Sequence, residues 1–86
     1  MEVEIGEVTH YFGHLKVAVL EIDAEIKLGD EIHIKGNTTD FIQKVASIQV
    51  DHKEVETAGP GADVAVLVDG RVRAGDAVFM VGEGIK

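Results

Sequence analysis

Two copies of one turn signature, Leu28-Gly29-Asp30-Glu31-Ile32 and Ala74-Gly75-Asp76-Ala77-Val78, each lead into a short run of alternating apolar residues. Glycine adopts the positive φ such a turn needs, and aspartate hydrogen-bonds to nearby backbone. Ile32 or Val78 then begins an inward-facing row, so each copy marks the entry to a β-strand. A third turn cluster, Ala58-Gly59-Pro60-Gly61-Ala62-Asp63, feeds Val64-Ala65-Val66-Leu67-Val68 in similar fashion. Entries of this kind in a chain of 86 residues point to a small barrel.

The remaining segments read the same way. In Val3 to His10 the period-2 apolar pattern slips one residue near Gly6, which predicts a bulge there. Tyr11-Phe12-Gly13-His14 turns the chain into Leu15-Lys16-Val17-Ala18-Val19-Leu20, so these two segments pair as a hairpin. After the first Gly-Asp turn, Ile32 and Ile34 face inward while Glu31, His33 and Lys35 face outward, the alternation of a half-buried strand. Phe41 to Thr57 is β-branched and lacks a sustained helical stripe, which favours a long curved strand over a helix. Val78 to Val81 forms the last strand, followed by a frayed end over 82–86. The expected fold is all-β: a single domain over residues 1–86, built as a closed or nearly closed antiparallel, Greek-key-like barrel of about six strands.

Composition narrows the chemistry. The chain is 45% hydrophobic but only 5% aromatic, with no tryptophan, so its core is aliphatic. Without cysteine, disulfides, thiolate metal sites and cysteine nucleophiles are excluded. The acidic start Met1-Glu2-Val3-Glu4-Ile5 does not resemble a secretory signal, and no apolar run approaches the roughly 20 residues of a membrane span. A cytoplasmic chain without a membrane partner is expected. A net charge of −8 opposes phosphate backbones and lipid headgroups, although Lys44 with Lys53, or Arg71 with Arg73, could form a local basic cluster.

Tests for catalytic and metal chemistry predict none. His10 and His14 flank a turn and could approach one another, but a metal site needs a third ligand, for which only Glu7 is a loose candidate. His33 and His52 read as outward strand or loop residues. Ser47, the lone serine, is not surrounded by a Gly-x-Ser-x-Gly elbow. The carboxylate pairs Asp23 with Glu25 and Glu54 with Glu56 are those any acidic chain contains. No Gly-x-x-x-x-Gly-Lys-Ser/Thr loop is present, so GTP binding is not expected, and no cofactor is implied.

The ordered set Gly6-Glu7-Val8, Ile26-Lys27-Leu28-Gly29-Asp30-Glu31-Ile32-His33-Ile34-Lys35-Gly36, Lys44-Val45-Ala46-Ser47-Ile48, Pro60-Gly61 and Arg73-Ala74-Gly75-Asp76-Ala77-Val78 resembles a known barrel. It is similar to the second domain of translation elongation factors, to free-standing elongation-factor-like proteins, and to the C-terminal barrel of collagenase-type peptidases. The latter two also share wording like Ile34 to Phe41 and His52 to Val55. The resemblance implies a translation-linked binding module rather than an enzyme, contacting a protein or ribonucleoprotein partner. In the elongation factors a glutamate of this barrel lies against the terminal adenosine of transfer RNA, and the matching position here is Gln49. With Lys53 nearby, the resemblance implies a weak RNA contact through Gln49 and Lys53. The alternative is an accessory subunit that positions substrate for a separately encoded RNA- or protein-processing enzyme.

Overall fold

A computed structural model describes residues 2–81. It is antiparallel β throughout, with no helix among the described residues. The strands are β1 (Glu2–Phe12), β2 (Val17–Ile22), β3 (Ile26–Lys27), β4 (Glu31–Lys35), β5 (Asp40–Lys44), β6 (Ile48–Val50), β7 (Lys53–Val55), β8 (Thr57–Ala58), β9 (Asp63–Leu67) and β10 (Ala77–Val81). One eight-stranded sheet runs in the order β5-β4-β10-β1-β2-β9-β6-β7, and β3 pairs with β8 as a small ribbon.

Strand alternation builds the core. Ile5, Val8, Leu20, Ile22, Ile26, Ile32, Ile34, Val45, Ile48, Val64, Val66, Val72 and Val78 are buried in a single aliphatic cluster. Tyr11, Phe41 and Met80 pack against it from the margins.

The two Gly-Asp turns are the same object used twice. Gly29 and Gly75 have φ of 89° and 97°. In the first turn the Asp30 carboxylate accepts the Lys27 N–H at 2.8 Å, and in the second the Asp76 carboxylate accepts the Arg73 N–H at 2.9 Å. Each turn also grips one buried valine by both backbone groups. Gly29 N–H donates to the Val45 carbonyl (2.9 Å) while Val45 N–H donates to that of Asp30 (2.8 Å). Gly75 and Asp76 hold Val8 likewise, at 2.7 and 2.8 Å. The strands that leave the turns, β4 and β10, pair about His33 opposite Phe79, so a local pseudo-twofold relates the two turn-strand units.

The predicted bulge lies at Ile5, between the Glu4–Phe79 and Gly6–Val78 pairs, and a second bends β1 at Thr9. Any side chain on Gly6 would collide with the Glu21 carbonyl, which accounts for glycine there. The β1–β2 hairpin forms as expected, although its turn extends to Lys16, which has φ of 56°.

Two expectations are corrected. The segment Phe41 to Thr57 is not one curved strand but contains β5, β6, β7 and the start of β8. It breaks at Val45, whose backbone is taken by the first Gly-Asp turn, and again at Asp51 and His52, which both adopt positive φ (56° and 66°). That pair forms a two-residue hairpin loop without glycine. The sheet, moreover, is not a closed barrel of six strands, because its end strands β5 and β7 share no ladder. The residues after β3 stand in the gap: Leu28 N–H donates to the Glu56 carbonyl at 3.0 Å and Gly29 N–H to that of Val45. Isolated backbone hydrogen bonds bridge there, where a ladder would be needed for closure. The expected frayed end at 82–86 lies outside the described residues.

Candidate functional site

The register places each residue singled out in the sequence. Gln49 and Lys53 both lie exposed on the β6–β7 hairpin. Gln49 stands opposite Glu54, however, and Lys53 opposite Val50, so the alternation of a pleated strand turns the two toward opposite faces. The arrangement that would offer an amide to a base and an ammonium to the adjoining phosphate is therefore not assembled. Arg71 and Arg73 do not line one depression either. Arg71 lines a shallow depression with Tyr11, Gly13, His14 and Val72, whereas Arg73 lines another beside Asn37 and Thr38. Ser47 is in the link between β5 and β6 rather than inside a strand. His10 stacks on Phe12 with ring centroids 6.3 Å apart, and among the described residues no three His, Cys, Asp or Glu side chains gather as a metal-binding group.

His33 does not simply face solvent. Its Nδ1 is 2.9 Å from the Glu2 carboxylate and its Nε2 is 2.5 Å from Asp40, so one imidazole joins β1, β4 and β5. Both acids reach it diagonally: Asp40 stands opposite Lys35, and Glu2 is opposite Val81 on the far side of β10. The Asp40 hydrogen bond, and then that of Glu2, raise the His33 pKa above its ordinary value, while the His33 bond lowers that of Asp40. Phe79 shields the ring from the β10 side at 6.3 Å.

Gln43 is a buried polar group without a sequence signal. Its side chain donates to the Leu67 carbonyl at 2.9 Å and accepts the Asp69 N–H at 2.7 Å, pinning the end of β9 to β5.

The outward face of β1, β2 and β9 carries the remaining feature. Phe12, Val17 and Leu67 lie in lateral register, with Phe12 and Leu67 50% and 45% exposed. The next outward row is His10, Val19 and Ala65, and beyond it come Glu7, Glu21 and Asp63. Leu15, in the adjoining turn, is 66% exposed. No described element covers these rows. One apolar row, a second that mixes His10 with Val19 and Ala65, and three aligned carboxylates form an organised exposed surface on these strands.

Comparison with known proteins bears on the fold. No family model matches the chain. An uncharacterized protease of Methanocaldococcus jannaschii is 39% identical over 85 residues, which is 98% of this chain but 21% of that protein. The chain thus spans about a fifth of the length of the curated relative it matches. Among solved structures, the C-terminal domain of a Geobacillus thermoleovorans protein classed with the U32 peptidases superposes with a TM-score of 0.85 at 20% identity, covering 91% of each chain. The selenomethionine form of that domain gives 0.83 at 20% identity, over 88% of this chain and 96% of that one. These similarities correct the elongation-factor expectation: they run to a protease and to a U32 peptidase C-terminal domain, not to a translation elongation factor. The peptidase side of the resemblance is the one that agrees. Among the described residues no helix is long and apolar enough to cross a membrane.

Proposed function

We propose that this chain is a non-catalytic accessory module of a U32-type peptidase system, engaging a protein surface while the chemistry is done by other residues. The observation that supports the reading most strongly is the span of the similarity. Nearly the whole chain matches one fifth of a longer protease, and its fold is that of a domain at the C-terminal end of a U32 peptidase. The arrangement of side chains fits. Among the described residues His33, the histidine with oriented partners, has both ring nitrogens engaged by acids that join β1, β4 and β5. A protein suits the exposed surface better than RNA, because its outward rows are apolar and acidic and Gln49 and Lys53 face apart.

The test is to incubate the purified chain with a quenched fluorescent peptide library. No turnover above background is expected. Turnover that copurifies with the chain and disappears on substitution of one of its own residues would overturn the reading.

A further inference from the structure

We infer that the outward face of β1, β2 and β9 is the docking surface of this module, and that its occupant is the body of the U32-type peptidase, presenting an apolar patch bordered by lysine or arginine. This inference rests on the accessory-module reading and adds the face and the chemistry of the partner.

Phe12, Val17 and Leu67 form the apolar part of this face, with His10, Val19 and Ala65 in the row beside them. Strand residues on the wet side of an antiparallel sheet are ordinarily polar, as Glu31 and Lys35 are on β4. Here one outward row, Phe12–Val17–Leu67, is apolar across three adjacent strands, and Phe12 is half exposed. Aromatic and aliphatic side chains grouped in this way favour a partner, since burying them releases water from one continuous patch.

The charged half identifies which partner. Glu7 is directly opposite Glu21, and Glu21 directly opposite Asp63. Like charges facing one another across a ladder repel, and none of the three rows contains a lysine or arginine to relieve it. Relief comes from cations on the occupant. A second copy of this chain cannot supply them from the same face, and it would bring one net charge of −8 against another. The curated relative provides the alternative: its matched segment is part of a chain about five times longer, so a large protein surface is attached to this domain there.

The absence of cysteine makes the face directly testable. This chain replaces the matching segment in the full-length M. jannaschii relative, with either Leu67→Cys on the face or Ile42→Cys as an exposed apolar control on β5. Maleimide labelling of each position, read by mass spectrometry, is compared with the same variant of the free chain. Leu67→Cys is expected to label at least ten-fold more slowly in the fusion, with Ile42→Cys unchanged. Adding Glu21→Lys and Asp63→Lys should return Leu67→Cys to its free rate. Slowing at Ile42→Cys but not Leu67→Cys would overturn the face while leaving the accessory reading intact. Equal rates at both positions in fusion and free chain would overturn docking altogether. Protection that survives both lysine substitutions would overturn the basic border of the partner.

Discussion

The carboxylate of Asp76 lies directly over Gly36, in the space a side chain at that position would occupy. Asp76 is buried and held by the Arg73 N–H, so it cannot swing away without leaving that donor unpaired. Gly36→Ala is therefore expected to destabilise the fold by about 1–3 kcal/mol. In an Asp76→Ala background, where the obstruction is gone, the same substitution should cost less. A double-mutant cycle in urea measures this coupling; purely additive effects would mean the two residues do not compete for the same space.

Gly29 and Gly75 have open space around them, so substitution there meets conformational strain and no clash. Because the two turns share their φ and their hydrogen bonds, Gly29→Val and Gly75→Val should each lower stability by roughly 1–3 kcal/mol, and by similar amounts. Denaturant midpoints check this, and wild-type stability in both variants would remove the turns from their structural role.

The His33 clamp makes stability depend on pH in two directions. Its raised pKa means the imidazolium is favoured by the folded state, so this contribution is full below the ordinary histidine value and is lost as pH rises through the raised one. The lowered pKa of Asp40 adds a contribution present above the ordinary carboxylate value and lost as pH falls through the lowered one. The clamp is thus strongest between about pH 4 and 6.5. Denaturation midpoints across pH should fall on the alkaline side of that window, and His33→Gln should flatten the fall. An NMR titration placing the imidazole at or below its ordinary pKa would contradict the account.

Local chemistry was legible in the sequence, and long-range register was not. The Gly-Asp turns and the bulge beside Gly6 announce themselves because glycine at such places has a backbone reason. That Val8 and Val45 would be the valines those turns grip depends on contacts far apart along the chain. The Asp51-His52 loop carries no glycine, so Phe41 to Thr57 reads as continuous until the positive φ angles reveal the break. His33 reads as an ordinary outward residue because Asp40 meets it only once β4 and β5 have paired, and Glu2 only once β10 has paired with both β1 and β4. The same limit hid the Phe12–Val17–Leu67 row, whose members come from three strands, and left Gln49 and Lys53 looking like neighbours although the hairpin turns them apart.

The proposed role, assisting a peptidase without performing the cleavage, is tested with the M. jannaschii relative with and without its matching segment, following peptide hydrolysis as separate kcat and KM values. Loss of an accessory module should raise KM by ten-fold or more and leave kcat within a few-fold of the intact protein. Loss of kcat in a truncated protein that remains folded by circular dichroism, with KM unchanged, would contradict the account and place part of the catalytic apparatus in this domain.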